Sequence, residues 1–113
     1  MEKFMVLLYE NDNAWAKLSP EEKQEIMKRY FAWVDELKTK DILRGGEALA
    51  AGGRVLRMAG GQVLDGPFTE TKEVLTGFFL LAAPNLEEAV KIARGCPALS
   101  HGESVVVRPV GHT

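Results

Sequence analysis

The elements predicted from the sequence follow the order strand, helix, short strand pieces, strand, helix and strand, which is the ferredoxin-like split βαβ pattern of an α+β protein. Two signals carry this prediction: both helices have clear start signals, and the strands are short apolar runs bounded by turn residues. The length of 113 residues is that of one domain. No repeat or linker interrupts the chain, so we expect a single domain over residues 1–113, with both helices on one face of an antiparallel sheet.

The first half of the chain predicts a strand followed by a long helix. Residues 4–9 are apolar and rich in strand formers, and the polar residues 10–13 end this run. Ser19 can cap a helix that begins at Pro20, and Glu22 stands where it completes a capping box. Apolar side chains then recur at helical spacing, at Ile26, Tyr30, Trp33, Val34 and Leu37.

The second half predicts further strands and a second helix. Residues 45–46 are two glycines and indicate a break before a short extended piece at residues 47–49. Residues 55–58 and 62–64 flank further glycines and predict a hairpin, which is followed by a turn at residues 65–67. The remaining predicted elements are a helical turn within residues 69–73, a strand at 77–83, a helix capped by Asn85 and a final strand at 105–107.

The predicted strands are apolar on both sides. Alternate residues of the run 4–9 point to opposite faces, yet both sets are apolar, and residues 78–81 share this property. An antiparallel sheet with one face in water should instead alternate apolar and polar residues. Because the two helices cover only one face, we predict that a second copy of the chain covers the other. The result is a homodimer built by sheet-to-sheet packing, with a barrel-like core.

Composition excludes several classes of protein. Hydrophobic residues make up 46% and charged residues 27% of the chain, as in folded globular domains. A net charge of −2 gives no electrostatic reason to expect a nucleic acid or an anionic membrane as partner. No apolar run approaches the about 20 residues of a membrane span. With one cysteine, no signal peptide and no histidine pair at metal-ligand spacing, we expect a cytoplasmic protein without disulfide, metal or bound cofactor.

Residues 65–73, with the sequence DGPFTETKE, hold the densest group of candidate functional side chains. Asp65, at the end of a strand, could act as a general base or orient one. Lys72 could bind an anionic group of a substrate. The structural alternative is that Asp65 caps the turn through its own backbone, while Lys72 belongs to a solvated face. Both interpretations stay open at the level of the sequence.

Further candidates lie outside this run. His101 carries an imidazole, the side-chain type suited to proton transfer near neutral pH, and could shuttle a proton, or it could belong only to a turn. Glu47 lies in an apolar piece and could contact a ligand or form a structural ion pair with a nearby arginine. Trp15 suits either a pocket wall or cover for a sheet edge. Cys96, which precedes a proline at the end of a helix, is expected to be buried for structural reasons.

Four segments together resemble a known family, and the match spans nearly the whole chain. They are residues 46–49 (GEAL), 65–73 (DGPFTETKE), 77–79 (GFF) and 107–109 (VRP). In these segments the chain resembles the DGPF subgroup of the YCII-related proteins. The resemblance implies a ferredoxin-like, dimeric α+β barrel. It also implies a small cytoplasmic enzyme or ligand-binding protein, similar in fold to isomerases, lyases and monooxygenases that act on small ring compounds.

The same resemblance bears on individual residues. Part of the wider family carries a His–Asp pair proposed as acid and base, and Asp65 matches the aspartate of the motif. The amino-terminal histidine of that family has no counterpart, because His101 is the first histidine of this sequence. Proteins of the DGPF type are also often encoded near extracytoplasmic-function sigma factors, which implies a regulatory or accessory role.

Two functional hypotheses follow from these observations. The first is a cofactor-independent enzyme for a proton transfer of the isomerase or lyase type, which suits a site without metal ligands or a nucleotide-binding loop. In it Asp65 is the base or its orienter, Glu47 and Lys72 position a polar small-molecule substrate, and His101 shuttles a proton. The alternative is a non-catalytic dimer that binds a metabolite or a protein partner in sigma-factor signalling. A purely structural dimer is the third interpretation.

Overall fold

A four-stranded antiparallel sheet carries two helices, in the order predicted for a ferredoxin-like fold. The computed structural model describes residues 1–67 and 73–112. The described elements are β1 (Glu2–Asn11), α1 (Pro20–Thr39), β2 (Leu43–Ala48), β3 (Val55–Ala59), β4 (Gln62–Gly66), β5 (Glu73–Ala83), α2 (Leu86–Ala93), a 3₁₀ turn (Pro97–Ser100) and β6 (Glu103–Pro109). The main sheet has the strand order β2-β5-β1-β6, and all its pairs are antiparallel. The predicted α+β class is confirmed.

Both helices begin where the sequence predicts. The Ser19 hydroxyl accepts the backbone N–H of Glu22 at 3.1 Å, and the Glu22 carboxylate accepts the backbone N–H of Ser19 at the same distance. This reciprocal pair satisfies two backbone donors that the first turn of α1 would otherwise leave unpaired. At α2, the Asn85 side chain accepts the backbone N–H of Glu88 at 2.9 Å. Neither helix of the described ranges has the length and apolarity of a membrane span.

The core lies between the main sheet and the two helices. Alternate residues of β1 are buried against the helices, as the period of a strand requires. Helix α1 contributes a buried apolar stripe, and the free thiol of Cys96 is buried beside it as expected. The larger of the two buried clusters is formed by Val6, Leu8, Trp33, Leu37, Leu81, Ala93, Cys96 and Ala98.

The predicted break at residues 45–46 is wrong, because both glycines lie within strand β2. The role of Gly46 is close approach rather than a turn, whereas a Cβ atom at Gly45 would lie at an ordinary contact distance of 4.0 Å from the Cβ of Leu80. A Cβ atom added to Gly46 would lie 2.8 Å from the carbonyl oxygen of Phe78 on the neighbouring strand. Glycine is therefore required for β2 to approach β5 this closely at that register.

The predicted hairpin is confirmed, and it forms a separate two-stranded sheet of β3 and β4. Gly60 and Gly61 form its turn with φ angles of 56° and 77°, the backbone that a tight hairpin turn requires. The turn predicted at residues 65–67 is wrong in its first two positions, because Asp65 and Gly66 continue β4 and pair with β3. A helical turn is predicted within residues 69–73. Residues 69–72 of that range lie outside the described residues, and Glu73 is the first residue of β5.

The hairpin leaves large apolar side chains in solvent. Leu56, Met58 and Val63 are each at least 60% exposed. The Cα radius of gyration is 16.1 Å, whereas a compact domain of this length has a radius of about 13 Å. The chain is therefore more extended than one compact globule, and the uncovered hairpin is one reason.

Candidate functional site

A cleft of about 830 Å³ opens between helix α1 and the edge of the main sheet at β2 and β5. Its volume is in the range of small-molecule sites, and its walls are largely apolar. Helix α1 lines it with side chains spaced three and four residues apart, so that one stripe of the helix faces the cleft. The lining residues that matter most for chemistry are Trp15, Tyr30, Lys38, Glu47, His101 and Glu103.

At one end of the cleft a buried histidine meets a buried carboxylate. The Nε2 atom of His101 lies 3.1 Å from Oε2 of Glu103, and only 3% and 8% of the two side chains are exposed. The contact has the distance of an ion pair without the alignment of a hydrogen bond, and Nδ1 of His101 has no partner among the described residues. The second carboxylate oxygen of Glu103 accepts the Thr76 hydroxyl at 2.5 Å.

A glycine between the two residues turns both side chains inward. His101 caps the carboxyl end of the 3₁₀ turn, Gly102 follows with a φ of 84°, and Glu103 starts β6. An L side chain rarely adopts that φ, and a Cβ atom at Gly102 would also stand 3.3 Å from the Cβ of Ala14. Thr76 reaches Glu103 because the pairing of β1 with β5 shifts register beside it. Local backbone geometry therefore assembles the group.

Two aromatic side chains enclose the His101 ring. The ring of Trp15 meets it edge-on with 5.8 Å between centroids, and Tyr30 does so at 6.4 Å. The backbone N–H of Trp15 donates to Glu10 at 2.6 Å, which ties the loop between β1 and α1 to the sheet. Of the two roles open for Trp15, the structure shows the pocket wall.

Burial keeps two further groups neutral. It raises the pKa of Tyr30 far above the ordinary value of a phenol, and the nearby Cys96 and Glu103 add to the rise. Burial also raises the pKa of the Cys96 thiol to about 11, although hydrogen bonds from the Ala98 backbone and Tyr30 oppose this shift. At neutral pH, Cys96 is therefore a thiol rather than a nucleophilic thiolate.

The structure brings together some of the predicted site residues. His101 and Glu47 both line the cleft. Asp65 lies on β4 of the hairpin, where its carboxylate contacts Arg54 at 3.0 Å, and it does not contribute to the cleft wall. Lys72 lies outside the described residues.

Sequence reasoning missed Glu103 and Thr76. The signal for Glu103 is the tripeptide His101-Gly102-Glu103, in which a glycine separates two groups that can share a proton. Thr76 gives no such signal, because its contact depends on strand register. In residues 1–67 and 73–112, no group of three or more His, Cys, Asp or Glu side chains is arranged to hold a metal ion.

Fold and cleft together define a small ferredoxin-like α+β protein with an apolar cleft of small-molecule size. The chain belongs to the YCII-related family, whose domain matches residues 2–110. It is 35% identical to an uncharacterized protein of Rhizobium meliloti (strain 1021), with 80% of this chain and 77% of that protein covered.

The fold is also similar to that of a solved structure. This is 5-chloro-2-hydroxyhydroquinone dehydrochlorinase from Burkholderia phenoliruptrix AC1100, in complex with 2,5-dihydroxybenzoquinone. The TM-score is 0.55 at 15% sequence identity, with 98% of this chain and 95% of that chain covered. At this identity the likeness supports the fold alone.

Proposed function

We propose that this chain is a small-molecule enzyme that catalyses a proton transfer of the isomerase or lyase type in the cleft beside α1, without a cofactor. The observation that carries the proposal is the buried pair of His101 and Glu103, 3.1 Å apart at one end of an apolar cleft. An imidazole beside a carboxylate is a positioned acid–base group, and in an unliganded site such contacts are often poorly aligned.

The two residues have different proposed roles. His101 is the catalytic residue: Nε2 faces the carboxylate, which leaves Nδ1, buried and without a partner among the described residues, as the atom that accepts a proton from the substrate and returns it at a neighbouring atom. Because Nδ1 is shielded from solvent, the aromatic side chains around it have to shift for a substrate to reach it. Glu103 is a positioning residue, which fixes the imidazole ring and stabilises the imidazolium formed in between. Thr76 holds the second carboxylate oxygen of Glu103.

The other predicted residues keep narrower roles. We assign Glu47, on the cleft wall, to contact with a polar group of the substrate. The catalytic role expected of Asp65 and the substrate-binding role of Lys72 stay predictions. We also propose that the chain belongs to the DGPF subgroup, because residues 46–49, 65–73, 77–79 and 107–109 resemble its motifs.

Small ring compounds are the proposed substrate class. Aromatic side chains form much of the cleft wall, and Tyr30 stacks against Phe79 with 6.3 Å between ring centroids. Flat rings pack well against such walls. The complex of the structurally similar dehydrochlorinase with a dihydroxybenzoquinone supports the same class.

The test measures proton exchange directly. Ring compounds that raise the melting temperature are incubated with the protein in D₂O, and loss of substrate C–H signal is followed by NMR. We expect His101→Gln to slow exchange by about a hundredfold or more. His112→Gln is the matched control, because it removes the other histidine. Exchange that survives His101→Gln within a few fold would refute the proposal.

Two further variants assign the carboxylates. Glu103→Gln should slow exchange by about tenfold and change its pH profile, since a positioning residue acts through the imidazole. Asp65→Asn in the same assay decides the role predicted for that residue. A ligand that raises the melting temperature without exchange or product would favour the non-catalytic alternative, the metabolite-binding dimer of sigma-factor signalling.

We also propose that the chain forms a homodimer through the helix-free face of its sheet. Val106 on β6 is 39% exposed on that face, and Leu7 of β1 lies directly opposite it. Isolated domains rarely expose large contiguous apolar patches. We expect sedimentation equilibrium to give the mass of two chains at micromolar concentration, and Val106→Glu to give one. Leu86→Glu, an exposed leucine on α2, is the matched control that should remain dimeric. A wild-type monomer would contradict this proposal.

A further inference from the structure

The two ends of the cleft differ in charge. At one end lie His101 and the Glu103 carboxylate, and at the other lie Lys38 and Arg44. Tyr30, beside His101, and Lys38 are eight residues apart on α1, which corresponds to about 12 Å along the helix axis. The cleft is therefore an elongated groove with the Glu103 carboxylate at one end and cations at the other, and Glu47, which pairs with Phe78 close to Thr76, adds a second carboxylate on the Glu103 side.

The two cations at the far end are not equivalent. The Nη1 atom of Arg44 donates to the backbone oxygen of Asp41 at 2.7 Å and to its carboxylate at 3.1 Å. Asp41 therefore offsets much of the charge of Arg44. Lys38 lines the same end, and its ammonium has no ion-pair partner within residues 1–67 and 73–112. It is the cation that is left to attract a ligand.

The region between the two ends is apolar. Phe31 and Val34 line it from α1, and Phe79 lines it from β5. Phe31 lines the cleft, yet 67% of its surface is exposed to solvent. A ligand that packs against Phe31 would therefore remove apolar surface from water. The wall therefore fits a rod-like, mostly apolar body.

From this arrangement we propose that the cleft selects an elongated aromatic acid, with its carboxylate at Lys38 and a ring hydroxyl at the His101–Glu103 end. Lys38 is then the residue that determines specificity for the anion. The orientation of the ligand rests on the proposed function, since it brings the ring to the imidazole. An anionic group at the opposite end would face the Glu103 carboxylate, which disfavours the reversed orientation.

The test compares two probes of nearly the same size and shape that differ in charge: 4-hydroxycinnamate and its uncharged amide, 4-hydroxycinnamamide, titrated by calorimetry at low salt. We expect the acid to bind about fivefold more tightly than the amide, as a partly solvated ion pair allows. Lys38→Gln should remove that preference without weakening the amide, and Lys38→Arg should keep it. Lys40→Gln is the matched control. Lys40 lies two residues from Lys38 and carries the same charge, but its ammonium is already paired with Glu36.

Each outcome decides the inference separately from the proposed function. Equal binding of acid and amide, equal weakening of both by Lys38→Gln, or no binding of either up to about 1 mM would overturn it. The acid preference should persist in His101→Gln, because binding does not require proton transfer. If that preference holds and no ring compound exchanges protons, the inference stands and the proposed enzyme function fails. If ring compounds exchange protons in a reaction that requires His101 while the acid and the amide bind equally, the proposed enzyme function stands and the inference fails.

Discussion

Two carboxylates of this protein contact a basic side chain at almost the same distance, in opposite surroundings. Asp65 lies 3.0 Å from Arg54 on the hairpin, where 44% and 76% of the two side chains are exposed. Glu103 lies 3.1 Å from His101, where 8% and 3% are exposed. Water screens the first pair and is excluded from the second. Burial, rather than distance, therefore separates a surface contact from a candidate catalytic group.

The same contrast extends to the elements that carry the two pairs. The hairpin and strand β1 are built from similar apolar residues. Helices cover one face of β1 and bury Val6 completely, whereas Met58 of the hairpin is 69% exposed. Whether water screens the charge of a carboxylate thus depends on whether helices cover the strand that carries it.

The largest expected effect is the removal of the buried carboxylate. Glu103→Ala leaves the buried His101 imidazole without its carboxylate and the Thr76 hydroxyl with only the longer contact to the carbonyl oxygen of Leu8 at 3.3 Å. We expect a loss of about 3 kcal/mol in the free energy of unfolding. Denaturant unfolding measures this loss. Glu103→Gln, which keeps a hydrogen-bonding group, should cost clearly less. A loss below about 1 kcal/mol for Glu103→Ala would contradict the comparison of the two pairs.

The next effect is a dependence of stability on alkaline pH. Folding raises the pKa of Cys96 from 9.0 to about 11, so its contribution to stability is complete below pH 9 and is lost as the pH rises to about 11. The loss is on the order of 2 kcal/mol. Unfolding measured between pH 8 and 11 should decline less steeply in Cys96→Ser, which keeps the size of the side chain without titrating in this range. Identical slopes in the two proteins would show that the thiol is not the cause.

The smallest effect is expected at the exposed pair. Asp65→Asn removes one charge of a solvated contact, and the free energy of unfolding should change by less than about 0.5 kcal/mol. The measurement is the same denaturant titration as for Glu103→Ala, which makes the two values comparable. A cost near that of Glu103→Ala would mean that the hairpin is buried in the protein as it exists in solution.

The sequence predicts most of the fold because its signals are local. Ser19 with Glu22, and Asn85 with Glu88, are caps formed within four residues, and the structure contains both. The break predicted at residues 45–46 failed because a glycine can serve either a turn or a close approach between strands. Only the pairing of β2 with β5 distinguishes the two.

The site was harder to predict because its contacts are set by strand register. His101 could be chosen from its chemistry alone. Thr76 contacts Glu103 across 27 positions of sequence, through a register shift that no local pattern encodes. Asp65 attracted attention through its motif, whereas its neighbours in space are residues of the hairpin.

Gly102 has a consequence for the cost of assembling the site. Most acid–base pairs join residues from distant parts of a chain, and the entropy of closing the loop between them grows with its length. Here a single residue separates His101 from Glu103, so almost no loop has to be closed to bring them together. Ordering of one short turn at the start of β6 is enough to present both groups.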